Sequence, residues 1–282
     1  MMRFKQVTIV GLGLMGGSLG MALRRRRLAH RVIGLSRSAA TVRQAKRRGA
    51  IDGGTTDARR AVRDAQLVVL ATPVDAIAPH ARRLARFMRP GSILTDVGST
   101  KSDIVRTLEQ ALPRTVAFVG AHPIAGSEQR GLGAAHERLF DGSICIVTPT
   151  TRTARRALHT VVRFWRPLVK RVMTMSPQEH DRVLAGTSHL AHLLAYCLAR
   201  ASHPAPLSRA PRSFLEMTRL AQSDPDLWDD IFLSNRAALL AALARFDREL
   251  RALRSLIAHG RRGELKRFLA AAKSKRDVLQ DR

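Results

Sequence analysis

VTIVGLGLMGGSLGMAL, residues 7–23, passes from an apolar β-branched run into a helix-forming run through three glycines spaced G-x-G-x-x-G. That spacing carries weight only where a strand feeds it and a helix leaves it, and both conditions are met here. Gly11 permits a tight turn, Gly13 lets a pyrophosphate approach the backbone at a helix N-terminus, and Gly16 lets helix and strand pack closely. The intervening Leu12, Leu14 and Met15 complete a candidate dinucleotide-binding turn.

Downstream, the pattern alternates. RVIGLS, AQLVVLATP, GSILTDVGS, AFVGAHP, GSICIVTP and RVMTMS read as strands, and helical stretches separate most of them. Alternation of this kind implies crossover connections and a mostly parallel sheet. The strand runs are apolar on both faces, as buried parallel strands must be. From Pro177 the strands stop and helical periodicity takes over, beginning with PQEHDRVLAGTSHLAHLLAYCLARAS. The expected architecture is an α/β Rossmann domain over residues 1–175 followed by an all-helical domain over residues 176–282.

The second strand ends in Ser36-Arg37-Ser38. An NAD-binding chain usually places a carboxylate there, where it accepts from the ribose hydroxyls and repels a 2′-phosphate. Two hydroxyls and a guanidinium suit that phosphate instead. NADP is therefore the expected cofactor, with NAD also possible. Thr72 and Pro73, closing the third apolar run, are counted with Ser36, Arg37 and Ser38 among the cofactor contacts.

Composition narrows the function classes. Apolar residues make up 45% of 282, which supports a packed core. No apolar run reaches the ~18 residues of a membrane span. The start, MMRFKQVTIVGLG, runs directly into the glycine turn and reads as a strand rather than a signal peptide. The net charge of +27 is spread along the chain, and aromatics are only 4%, so no specific nucleic-acid partner is expected. The densest basic cluster, Arg24 to Arg27, follows a helical run and reads as solvated charge near a helix C-terminus. Cys145 and Cys197 lie in apolar segments without metal or disulfide spacing; they read as buried thiols in a cytoplasmic protein.

Four further stretches carry chemistry. TDVGSTKSDI ends a strand and opens a helix, with Thr100 and Asp103 at capping-box spacing. GAHPIAGSEQRG sets His122 just past a strand. AGTSHLAHLLA places Ser188, His189 and His192 at helical spacing, and MTRLAQSDPDLWDDIFLSN holds Arg219 before a helix start. His30, His80, His136, His159, His180 and His203 read as surface or packing residues.

With these segments in view, the chain resembles the prephenate/arogenate dehydrogenase family of tyrosine biosynthesis. The resemblance rests on GLGLMGGSLG, DVGSTK, HPIAGSE, SHLAH and TRLAQSDPDLWDDIF, in family order over almost the whole chain. It implies a helical dimerisation domain, a homodimer, and oxidative decarboxylation of prephenate or L-arogenate with a nicotinamide cofactor. It also implies His122 as the catalytic histidine and Ser99 as its support near the nicotinamide. Arg219 would bind a substrate carboxylate, and Ser188, His189, His192 and Glu128 would line the substrate site. No room is left after the helical part for a regulatory domain, so any tyrosine inhibition is expected at the active site.

The residue types suit that chemistry. A neutral imidazole can take a hydroxyl proton near neutral pH, and arginine holds a carboxylate without ever deprotonating. The rival readings are a β-hydroxyacid dehydrogenase or pyrroline-5-carboxylate reductase, and a non-catalytic NADP-responsive regulator that binds nucleic acid. The HPIAGSE loop argues against the first two.

Overall fold

The computed structural model describes residues 3–126, 129–202 and 210–278. An eight-stranded sheet organises most of the chain, in the order β3-β2-β1-β4-β5-β6-β7-β8. The strands are β1 Phe4–Val10, β2 Ala29–Leu35, β3 Gly53–Thr55, β4 Leu67–Leu70, β5 Ile93–Asp96, β6 Ala117–Pro123, β7 Ile144–Thr148 and β8 Arg171–Thr174. All neighbours pair parallel except β6 and β7, which are antiparallel. The expected Rossmann-type sheet is therefore present, with one strand more than the sequence suggested. β3 has three residues and two of them are glycine, too few to show a period.

Helices α1 Leu14–Arg25, α2 Ala39–Arg47, α3 Ala58–Val62, α4 Val74–Ala85, α5 Ser102–Ala111 and α6 Arg155–Trp165 accompany the sheet. Period-two alternation sorts the strand residues between two cores. Leu67 and Val69 of β4 join Leu19 and Leu23 of α1 and the Phe164–Trp165 pair of α6. Val68 and Leu70 join Ile77, Ala81 and Leu84 of α4 and Ile104 and Leu108 of α5. Both faces of β4 are thus dry, which is why it reads as an unbroken apolar run. Pro79 lies inside α4 without ending it.

After β8 come α7 Pro177–Leu184, a π-helical turn Ala185–His189, α8 Leu190–Ala201, α9 Arg212–Thr218, a 3₁₀ turn Arg219–Gln222 and α10 Pro225–Ser234. By compactness these belong with the sheet: Met1–Asn235 forms one unit and Arg236–Arg282 another. The change from strands to helices comes at about residue 175, as read from the sequence, but the packing division comes later, after Asn235. The second unit contains α11 Arg236–Ala258 and α12 Arg262–Asp277, joined through Gly260 at φ +62°. No helix among the described residues is long and apolar enough to cross a membrane.

Two sequence readings change. The Arg24–Arg27 cluster is more than solvated charge: Arg24 pairs with Asp52 at 2.8 Å, Arg25 with Glu137 at 3.2 Å, and Arg26 with Asp141. Cys145 is buried as expected, but Cys197 is exposed, on an outward face of α8.

The glycine turn shows which of its positions the fold itself demands. Gly11 has φ +90°, and a Cβ there would strike the Ala71 carbonyl. A Cβ on Gly16 would overlap the Gly11 carbonyl, a backbone atom that cannot step aside. Overpacking against backbone costs roughly 1–3 kcal/mol. Gly16→Ala is therefore expected to lower the thermal midpoint of the unliganded protein by about 5 °C, measured by calorimetry. An unchanged midpoint would show that the turn tolerates a side chain.

Candidate active site

β1 lies between β2 and β4, so the winding of the sheet reverses there and opens a crevice at the strands' carboxyl ends. A cavity of about 980 Å³ occupies it. Gly13, Leu14, Met15, Thr72 and Pro73 form one wall, and Ser99 and His122 the floor; Ser188, His189, His192 and Trp228 close it from the helical side. The structure thus gathers most of the residues chosen from sequence. Glu128 lies outside the described residues.

The wall at the start of α1 has features that suit a dinucleotide. Gly13 is the N-cap of α1 and offers no side-chain cap, so the first N–H groups of the helix point to the crevice. A Cβ built on Gly13 would meet nothing within 4 Å, in contrast to Gly11 and Gly16. The Thr72 hydroxyl is buried without a protein partner among the described residues. Open space, a positive helix end and an unsatisfied hydroxyl fit a dinucleotide phosphate. Leu12 points the other way, into the core beneath Gly34. Ser36, Arg37 and Ser38 stand outside the cavity lining, at the end of β2. Ser38 caps α2, its oxygen accepting from Thr41 N at 3.3 Å, while Ser36 Oγ accepts from Ser38 N at 3.3 Å. Both hydroxyl hydrogens remain available to a ligand.

The cavity floor rests on a buried ion pair. Asp96 ends β5 and pairs with Lys101, both side chains fully buried. Asp96 also accepts from Gly98 N at 2.9 Å and Ala121 N at 3.0 Å. The carboxylate therefore fixes the loop that carries Ser99 and the strand that carries His122. Breaking a buried pair of this kind costs roughly 3–5 kcal/mol.

His122 sits near the end of β6, paired across to Ile146 of β7. Its Nδ1 lies 2.9 Å from His180 Nε2, and His180 Nδ1 lies 2.7 Å from Asp181 Oδ1. His180 is fully buried. It was read from sequence as a surface or packing residue, and the structure corrects this: it is the direct partner of His122. The only sequence signal was a His-Asp pair ahead of the SHLAH helix, too common to single out. Burial, with His180, Lys101 and His189 adding to it, holds the His122 pKa well below the ordinary histidine value.

Asp181 has a second task. Oδ1 accepts from Lys101 N and Oδ2 from Ser102 N, each at 2.8 Å. The helix start at α5 is thus capped from α7. The capping box expected at Thr100 and Asp103 is absent: Thr100 Oγ1 accepts from Ser234 Oγ at 3.1 Å, and Asp103 pairs with Arg106.

The helical wall is shaped by the π turn. It carries Ser188 and His189 at its end, and His192 Nδ1 reaches the Ser188 carbonyl at 3.0 Å. His192 stacks on Trp228 with ring centroids 3.5 Å apart, and His189 meets the same indole edge-on at 6.0 Å. Asn235 Nδ2 donates to the Asp181 carbonyl at 2.7 Å and faces His189 Nδ1 at 3.1 Å. Burial drives the His189 pKa down to about 4.

Arg219 is exposed on its 3₁₀ turn and is not part of the lining, although Leu220 beside it is. The cation in the lining is Arg130, which pairs with Asp224 and, at 3.8 Å, with Asp226. Arg130 and Trp228 both fall inside segments quoted above, but neither was singled out. On the α4–α10 side, the Asp230 carboxyl is raised by partial burial and then by the neighbouring Asp75 and Asp229.

A family model described as the nucleotide-binding domain of prephenate dehydrogenase matches residues 19–174, and one described as its dimerization domain matches residues 176–271. The chain belongs to the prephenate dehydrogenase family. It is 37% identical to a cyclohexadienyl dehydrogenase of Zymomonas mobilis, over 90% of this chain and 89% of that one. Among solved structures, a prephenate dehydrogenase of Aquifex aeolicus in complex with hydroxyphenyl propionate and NAD+ superposes with a TM-score of 0.92 at 34% identity, covering 99% of both chains. A Synechocystis arogenate dehydrogenase gives 0.84 at 30% identity, over 97% of this chain and 99% of that one.

The open space at Gly13 generates a test. Gly13→Ala is expected to weaken dinucleotide binding at least about tenfold by fluorescence titration, since one methyl would hold the phosphate off the helix end. The thermal midpoint of the unliganded protein is expected to stay as in wild type. Unchanged affinity would place the phosphate elsewhere.

Proposed function

We propose that this family member catalyses oxidative decarboxylation of a cyclohexadienyl acid, prephenate or L-arogenate, and prefers NADP. The observation that carries the reading is that His122 lines the same cavity as Ser99 and as Gly13 at the α1 N-terminus. A bound nicotinamide dinucleotide supplies the hydride acceptor. Gly13, Leu14 and Met15 hold its phosphates at the helix end, and Thr72 and Pro73 flank it.

His122 takes the proton of the ring hydroxyl as hydride leaves the same carbon, so that carbon becomes a carbonyl. The bond to the ring carboxylate opposite then breaks, carbon dioxide departs, and the electron pair moves through the ring to the new carbonyl oxygen, which takes up a proton and becomes the phenol. Ser99 supports His122 beside the transferring hydride. Arg219, on the turn adjoining Leu220, is the proposed partner of a substrate carboxylate. Ser188, His189 and His192 contact the substrate from the helical side, and Glu128 is assigned to the same site.

Residues 1–175 are proposed to bind the dinucleotide, and residues 176–282 to supply substrate contacts and the interface of a homodimer. The match of residues 176–271 to a dimerization-domain model supports the second assignment. The free thiols of Cys145 and Cys197 fit a reducing compartment, and we place the enzyme in the cytoplasm.

A two-by-two assay of prephenate and arogenate against NAD and NADP tests the function. Charge-assisted bonds from Ser36, Arg37 and Ser38 to a 2′-phosphate predict kcat/KM about tenfold or more higher with NADP. Ser36→Asp is expected to reverse the preference, and equal or better use of NAD by wild type would overturn the assignment.

His122→Asn is expected to lower kcat by about 10²–10⁴-fold with little change in KM, whereas Arg219→Ala acts mainly on KM. The pH profile adds a sign. A base must be neutral to act, and a pKa below the ordinary value of about 6.5 keeps it neutral as the pH falls past that value. The acid limb of kcat/KM is therefore expected below pH 6.5. A limb at or above it would exclude His122 as the group observed.

A further inference from the structure

We propose that the His180–Asp181 dyad fixes the tautomer of His122, making Nε2 the nitrogen that accepts the substrate proton. This rests on His122 being the base of the dehydrogenase reaction. The argument runs outward from Asp181. Burial alone would raise its carboxyl, but hydrogen bonds from His180 and Ser102 outweigh that and hold it below its ordinary range. An ionised carboxylate only accepts, and Oδ1 faces His180 Nδ1 at 2.7 Å, so Nδ1 carries the hydrogen. Burial, helped by Lys101 and opposed by Asp181, keeps His180 below the ordinary histidine value and therefore neutral near pH 7. Its Nε2 is then bare, an acceptor 2.9 Å from His122 Nδ1. His122 must donate from Nδ1, which leaves the lone pair on Nε2 for the cavity.

The surroundings lock this order. The charged and titratable groups around the pair are Asp96 and Lys101 below, Asp181 beside His180, and His189 from the π turn. Lys101 is committed to Asp96, and Asp181 to the start of α5 as well as to His180. Reversal of the two imidazoles would leave His180 Nδ1 without a hydrogen against a carboxylate, two acceptors in contact. His180 is fully buried and outside the cavity lining, so it is a positioning residue, and Asp181 positions it in turn.

The tautomer is directly measurable by nitrogen-15 NMR of histidine-labelled protein, with neither substrate nor cofactor present. Near neutral pH, the expected result is hydrogen on Nδ1 of both His122 and His180, and a bare Nε2 on each. Hydrogen on His122 Nε2 would overturn the proposal. His180→Leu removes the acceptor, and kcat is expected to fall at least about tenfold while KM stays near wild type. His180→Gln offers a carbonyl oxygen to His122 Nδ1 and is expected to recover most of that loss and the wild-type tautomer. A His180→Leu enzyme with unchanged kcat would also overturn it. If that variant fails to fold, the wild-type spectrum decides alone. Because the spectrum needs no turnover, an intact dyad in a protein that oxidises no cyclohexadienyl acid would sink the functional reading and leave the tautomer standing.

Discussion

The Asp181 carboxylate joins two parts of the molecule that the sequence keeps far apart. It accepts two backbone N–H groups at the start of α5 and the ring N–H of His180. The first two bonds dock α7 onto the sheet, and the third orients the histidine that meets His122. A carboxylate at a helix N-terminus is favoured by the unsatisfied N–H groups and by the helix dipole. That electrostatic preference holds α7 at the start of α5, while α10 packs separately against α4. The cavity floor comes from β5 and β6, and its far wall from the helices that follow the sheet.

The sequence made the sheet side of this site readable, and the reasons are local. Gly11 and Gly16 are constrained by turn geometry and close backbone approach, Gly13 leaves open space at the helix end, and the strand runs are marked by burial on both faces. β3 was invisible because three residues carry no period. The capping arrangement at α5 was misread for a different reason: the acceptor comes from 80 positions down the chain, and a neighbouring Thr-x-x-Asp offered a plausible local substitute. His180 failed in the same way, since its role depends wholly on what folds against it. Cys197 shows the converse, an apolar sequence neighbourhood whose helix turns that side outward.

The distribution of charge sharpens the picture of the site. A chain with a net charge of +27 brings Asp75, Asp224, Asp226, Asp229 and Asp230 to the rim of its cavity, with Arg130 the cation among them. Carboxylates near the mouth, two of them paired with Arg130, limit how strongly an anionic ligand is attracted overall. The two sides of the cavity are built by different means. The wall at the start of α1 is backbone and open space, and the helical wall is made of fixed imidazoles with His192 stacked on Trp228.

The π turn between α7 and α8 has a further consequence. A π turn adds one residue to a helical turn, so the side chains after it are rotated out of phase with those before it. His180 and Asp181 lie in the earlier phase, and Ser188, His189 and His192 lie within or after the bulge. Side chains on the two faces of this continuous rod therefore answer to different neighbours, and the Asn235 amide, which meets both the Asp181 carbonyl and His189 Nδ1, is where they are tied together.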